Sequence, residues 1–142
     1  MPITADLRRP GPTLTTLGNG RHAWLSDVAP ASGGDDLAPD PHDLLDAALA
    51  ACTVLTLELY IRRKQLAVSH LHVAVTHTEE RQADGRVAYR LQRHLTVEGE
   101  LADTERQRLL DIANKCPIHK VLTGDITVDT GWAAAAPAPE AA

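Results

Sequence analysis

Phenylalanine is absent from this chain of 142 residues, and aromatic residues make up only 3% of it. A core built without large rings must be filled by Leu, Val, Ile and Ala. Cysteine is scarce as well: Cys52 and Cys116 are the only two, too few for the disulfide framework of a small secreted domain. Excess basic charge is missing. A formal net charge of −5 argues against a nucleic-acid partner, because phosphate binding needs a dense basic surface. No uninterrupted apolar run approaches the ~18–20 residues that span a bilayer. The segment from Met1 to Asp6 lacks both the charged and the apolar parts of a signal peptide. These absences predict a cytoplasmic protein with no membrane partner.

Several chemical signatures are missing too. No Cys-X-X-Cys or His-Glu-X-X-His spacing occurs among the seven histidines and two cysteines. His70 and His72 share one face of a strand while His77 falls on the other, so no metal site is expected. Gly33-Gly34 is neither a P-loop nor a dinucleotide fingerprint, and no cofactor is expected. No Ser or Thr sits in a recognisable nucleophile elbow.

What remains is an ordinary globular composition, 44% hydrophobic and 23% charged, in a chain long enough for one domain with a real core. Residues 1–132 read as that domain. Residues 133–142, Ala and Pro with one Glu, read as a disordered tail. Two β-prone runs, 13–17 and 22–25, flank Gly18-Asn19-Gly20, which predicts a hairpin. A loop follows, rich in Gly, Pro, Ala and Asp. A second pair of strands, around residues 71–75 and 86–97, turns at Asp84-Gly85. An amphipathic helix over 104–114 capped by Asp103, a short helix from Cys116 to Leu122 and a strand over 126–128 complete an α+β domain.

The longest element carries the strongest start signal. Asp40 before Pro41, with Asp43 three places on, reads as an N-cap, a first-turn proline and an acidic first turn. Leu44, Leu45, Ala48, Leu49, Cys52, Leu55, Thr56 and Leu59 then fall on one face. Alanine, Val54 and Leu57 fill most of the remaining circumference, which predicts a central, buried helix. The basic triplet Arg62-Arg63-Lys64 reads as a solvated helix end, where cations suit the dipole.

Cys116 opens Cys116-Pro117-Ile118-His119-Lys120. Proline at the first helical position puts Cys116 at the cap, where backbone N–H groups favour a thiolate. Lys115, His119 and Lys120 add positive or potentially positive charge. Local electrostatics therefore favour Cys116 as the more acidic thiol, whereas burial among Leu and Ala raises the pKa of Cys52. The competing reading is that both cysteines are small, inert core residues.

The segments Pro41-His42-Asp43-Leu44-Leu45-Asp46-Ala47-Ala48-Leu49-Ala50-Ala51-Cys52-Thr53 and Cys116-Pro117-Ile118-His119-Lys120-Val121-Leu122 resemble the OsmC/Ohr family. The run from Asn19 to Asp27 and Gly33-Gly34 is similar to the OsmC-like or YhfA-like branch. This resemblance covers about Thr13 to Thr130. It implies an intertwined homodimer whose central helices pack together and are wrapped by antiparallel sheets. It also implies thiol peroxidase chemistry on organic hydroperoxides, with an external dithiol as reductant and a role in oxidative and osmotic stress protection. On that pattern Cys52 is the peroxidatic cysteine, oxidised to a sulfenic acid, and Cys116 resolves it as a disulfide.

The family pattern further implies an arginine beside the first cysteine, held by a glutamate ten residues before it. That place is His42 here, with Asp43 one step later. Ten residues of helix rise ~15 Å, so either could act only through a partner subunit or a bound arginine. Arg21, after the first hairpin turn, is the candidate cation, with Arg8 and Arg9 nearer the family's spacing. Absence of the glutamate supports an alternative: a non-enzymatic, stress-associated dimer binding a small apolar or electrophilic ligand.

Overall fold

The computed structural model describes residues 1–134; residues 135–142, most of the expected tail, lie outside that range. Strands β1 (Thr4–Asp6), β2 (Thr15–Gly18) and β3 (Ala23–Ser26) form an antiparallel sheet in that order. The expected hairpin joins β2 to β3, two residues later at its start than the sequence suggests. Its turn closes because Asn19 Oδ1 accepts the N–H groups of Arg21 and His22 at 3.0 and 2.8 Å, an Asx turn. Gly20 supplies a φ of 86°, which a side chain would disfavour. Strand β1 carried no sequence signal: three exposed residues have neither length nor alternation.

The loop from Asp27 to Pro39 is organised by one buried carboxylate. Asp27 accepts from the Thr13 hydroxyl at 2.5 Å and from the N–H groups of Val28, Leu37 and Asp35 at 2.8, 3.1 and 3.4 Å. Gly34 folds back onto the Val28 carbonyl so closely that a Cβ there would lie 2.1 Å from its oxygen. The loop delivers the chain to α1 (Pro41–Lys64), where Asp40 is the expected N-cap and Asp43 bonds back to it, closing a capping box at 3.0 and 3.2 Å. Gln65, in the left-handed conformation, ends the helix.

Helix α1 has 24 residues and is apolar enough by composition to cross a membrane, a property that a count of uninterrupted apolar residues misses. Its buried stripe is Leu49, Thr53, Leu57 and Ile61, not the face predicted from spacing. Leu55 and Leu59 are 62% and 67% exposed. A helix apolar nearly all round carries no periodic signal to choose its inner face. Polar side chains make the choice: Asp46 accepts from Tyr89 Oη at 2.9 Å and pairs with His77 Nδ1 at 2.5 Å.

Those partners stand on β4 (Val68–Arg81) and β5 (Val87–Gly99), a long antiparallel ribbon turning at Asp84-Gly85. Its inner face presents Leu71, Val73, Val75 and His77 on β4, and Tyr89, Leu91, Arg93, Leu95 and Val97 on β5. The core joins Leu57 and Ile61 of α1 to Leu109, Ile112 and Ala113 of α2 (Asp103–Ala113), with Leu71, Leu95 and Val97 packed against them. Ala102, not Asp103, is the residue before α2. The Glu105 carboxylate reaches back to the Ala102 N–H at 2.9 Å, so the capping acid lies inside the first turn. Helix α3 (Pro117–Leu122) follows with Cys116 at its cap, as expected. The expected strand over 126–128 is absent. Ile126 and Val128 are 59% and 84% exposed, with no strand beside them to pair with.

The Asp27 carboxyl titrates below its ordinary range because the Thr13 hydroxyl and the Leu37 and Val28 amides stabilise its charge against the effect of burial. A carboxyl depressed in the folded state adds stability above its unfolded value and loses it as pH falls through the folded one. Asp27→Asn should therefore melt below the wild type at neutral pH, with the gap closing as pH falls below about 4. Thermal denaturation across that range checks this; a gap independent of pH would assign the effect to packing alone.

Candidate active site

Cys52 and Cys116, far apart in sequence, meet in the fold. Cys52 stands in the middle of α1 and is half-buried, while Cys116 is fully buried between α2 and α3. Their thiols lie close enough for each to shift the titration of the other. Lys115 and Cys116 donate backbone N–H bonds back to Ile112 and Ala113 at 2.9 and 3.3 Å, tightening the exit from α2. Pro117 then starts α3, with Cys116 as its cap residue.

Burial pushes the Cys52 thiol up, and donating to Cys116 pushes it further, opposed by the Ile118 N–H and the Thr56 hydroxyl. Burial acts the same way on Cys116. Hydrogen bonds from Cys52, from the His119 and Ile118 amides and from Thr53 outweigh it and hold Cys116 below the ordinary thiol value. Of the two, Cys116 is therefore the more acidic thiol, as local electrostatics favour.

Arg93, on the inner face of β5, bonds the residues that flank the thiols. Its Nη1 donates to Thr53 Oγ1 at 3.0 Å, and Nη2 donates to Asn114 Oδ1 at 2.8 Å and contacts His119 Nδ1 at 3.3 Å. Thr53 Oγ1, 2.7 Å from the Leu49 carbonyl, has a single hydrogen to divide between that oxygen and the Cys116 sulfur. Arg93 thus reaches the thiol pair through Thr53. The available signal was the strand alternation itself: an arginine in register with Leu91 and Leu95 must find partners inside. Beside Arg93 a hollow of about 430 Å³ is lined by Leu49, Leu91, Leu122, Tyr89, Arg90 and His119, among others.

Residues 33–131 match the OsmC-like protein family. The chain belongs to that family. Its fold is similar to that of an OsmC-like protein from Mycoplasma pneumoniae, with 25% identity, a TM-score of 0.74 and coverage of 87% of this chain and 86% of that one. It is also similar to an organic hydroperoxide resistance protein from Elizabethkingia anophelis, at 20% identity and a TM-score of 0.68, over 88% and 90% of the two chains. The organic hydroperoxide resistance protein OhrB of Bacillus subtilis aligns at 22% identity and a TM-score of 0.61, over 87% and 90%. These last two show a shared fold. No curated protein matches the chain significantly.

The OsmC-like fold expected from the resemblance is the fold observed. Other expected features lie apart from the thiols within one chain. Arg21 is exposed on the β2–β3 turn, lining a shallow surface hollow with Gly20 and His22. The Asp43 carboxylate is engaged in capping α1. His42, at the place of the family's glutamate, contacts Glu79 at 3.1 Å and stacks with His77 and Tyr89. Among the described residues, no group of three His, Cys, Asp or Glu side chains is arranged to hold a metal.

The coupling of the two thiols has a measurable consequence in this OsmC-like chain. Removing Cys52 deletes a donor to Cys116, so in Cys52→Ala the remaining thiol should titrate higher than the more acidic thiol of the wild type. In Cys116→Ala the remaining Cys52 should titrate lower than it does beside its partner. Thiolate absorbance near 240 nm against pH reads both shifts; two thiols that titrate identically in all three proteins would show them to be uncoupled.

Proposed function

We propose that this OsmC-like chain is a cysteine-based thiol peroxidase that reduces organic hydroperoxides. The observation that carries the reading is the proximity of Cys52 and Cys116, supplied by segments far apart in sequence. An inert core thiol is raised by burial, yet Cys116 is held below the ordinary value by Cys52, the His119 and Ile118 amides and Thr53. The names of two of the similar structures, organic hydroperoxide resistance proteins, support the same substrate class.

On this reading Cys52, the less buried thiol, attacks the distal peroxide oxygen. It first passes its proton to the neighbouring Cys116. The Sγ–O bond forms, the O–O bond breaks and the alkoxide leaves, with Cys52 oxidised to a sulfenic acid. Cys116 then attacks the Cys52 sulfur; its proton and the sulfenic hydroxyl leave as water, and a disulfide remains. An external dithiol reduces that disulfide and closes the cycle. Prompt resolution matters because an unresolved sulfenic acid is oxidised further to an irreversible product.

A homodimer fits the same reading. The leucines exposed on α1 form an apolar surface that one ribbon leaves uncovered, and a second copy's central helix would cover it. Association would also offer Arg21 and Asp43 a route to a thiol pair across the interface. The reducing cytoplasm, where dithiol reductants are available, is the matching location.

One equivalent of cumene hydroperoxide added to the reduced protein should consume both thiols and give an intrachain Cys52–Cys116 disulfide, seen by mass spectrometry, faster than hydrogen peroxide does. Cys116→Ser should stop at a sulfenic acid that dimedone traps, and Cys52→Ser should not turn over. Both thiols surviving in folded wild-type protein would defeat the peroxidase and leave a dimer that binds a small apolar or electrophilic ligand.

A further inference from the structure

The hollow beside Arg93 carries positive charge that nothing on its wall answers. Its volume of about 430 Å³ lies in the range of small-molecule sites. The guanidiniums of Arg90 and Arg93 stand on the wall with the imidazole of His119, and among the described residues no carboxylate does. In a chain of formal net charge −5 such a wall is a local reversal of sign. Across the ribbon Arg90 and Arg93 face Thr78 and Val75, so neither has an acid opposite it. One step behind Tyr89, Asp46 has one oxygen on Tyr89 Oη and the other on His77 Nδ1.

Arg93 has five N–H hydrogens and accepts nothing. Three go to Thr53, Asn114 and His119, all neutral acceptors; two have no acceptor among the described residues. The arginine ion pairs there are those of Arg8, Arg62 and Arg86, and neither Arg90 nor Arg93 has one. Because a guanidinium only donates, the Arg93 contact makes His119 Nδ1 the acceptor and places the ring hydrogen on Nε2. The hydroxyls of Tyr89 and Thr123 commit their hydrogens to Asp46 and to the His119 carbonyl. Three side chains of the wall thus offer donors and positive charge, and Leu49, Leu91 and Leu122 make its apolar part.

We infer that the hollow is a binding site for a small aliphatic carboxylate, whose head accepts hydrogen bonds from Arg90, Arg93 and His119 and whose alkyl body lies on the three leucines. The site is independent of the peroxidase reading, since neither cysteine lines the hollow. A half-buried guanidinium with only neutral acceptors gains a charge-assisted bond from an anion. Phosphate or sulfate would supply the charge and leave the leucines wet. A neutral alcohol would cover the leucines and leave the cations unanswered. A carboxylate on an alkyl chain meets both halves of the wall, and it is ionised throughout the neutral pH range.

Isothermal titration calorimetry of the reduced protein with octanoate, in the absence of peroxide, tests the site. Octanoate should bind saturably, and 1-octanol, with the same chain and no charge, at least ~10-fold more weakly. Arg90 is exposed and makes no side-chain bond among the described residues, so its variants should fold. Arg90→Gln should weaken octanoate several-fold, and Arg90→Glu, which sets a like charge on the wall, by at least ~10-fold. In ¹H–¹⁵N spectra the His119 ring signals should shift with octanoate along the same saturation curve. Equal affinity for octanoate and 1-octanol would overturn the anionic head. Undiminished binding by folded Arg90→Glu, or unmoved His119 signals, would overturn the location, and no saturable octanoate binding would overturn the site altogether. None of these outcomes touches the peroxidase, which the thiol count after cumene hydroperoxide decides separately.

Discussion

A guanidinium on the inward face of a strand has to replace its water with fixed acceptors, because a charge left unpaired there is expensive. Arg93 meets that demand with Thr53 from α1, Asn114 from the end of α2 and His119 from α3. Each acceptor lies on a different helix, so satisfying one side chain fixes the relative placement of all three. The two cysteines ride on the same elements: Cys52 precedes Thr53, and Cys116 lies between Asn114 and His119. Their meeting follows from the hydrogen-bonding needs of one arginine as much as from apolar packing. A lysine could not substitute, since its single ammonium lacks the planar fork that addresses three separated acceptors.

The same logic governs α1 at its other end. Asp46 is held by His77 and Tyr89, and this contact raises both of their pKa values, His77 chiefly through the bond to Asp46 and Tyr89 chiefly through burial. A raised histidine contributes stability below its unfolded value and loses it as pH rises through the folded one. The clamp is therefore strongest in mildly acidic solution. Together, Asp46 and Thr53 set the rotation of a helix that hydrophobicity alone would let spin. Directional groups choose the face, and apolar contacts from Leu57 and Ile61 then fill the space behind it.

This division explains what the sequence revealed. The start of α1 was legible because a capping box and a first-turn proline are local, and the β4–β5 turn because Asp84-Gly85 carries its own geometry. The two cysteine motifs were legible as chemistry through their flanking residues. The inner face of α1 was not, since Leu55 and Leu57 are equally apolar and only distant partners distinguish them. The acceptors of Arg93 come from three separate segments that no spacing rule connects. The segment over 126–128 has the composition of a strand, yet it pairs with neither sheet. β-propensity describes fitness for a pleated surface and cannot supply that surface.

On the peroxidase reading, proton transfer between the thiols reconciles the acidity of Cys116 with attack by Cys52. The more acidic thiol, Cys116, is fully buried and shielded from stray oxidants, while Cys52, the more exposed, is the less acidic. Transfer between neighbouring sulfurs needs neither water nor a separate base. On the peroxidase reading, the proton that Cys116 receives in that exchange is the one that leaves with the sulfenic hydroxyl as water when the disulfide closes. The donors around Cys116 therefore serve both half-reactions. They stabilise its thiolate, and they favour its return to that state at the moment it must attack. An arginine bonded directly to Cys52 would fix the charge there permanently and oppose that return. On the peroxidase reading Arg93, bonded to Thr53 and His119 and not to either sulfur, leaves the proton free to move between them.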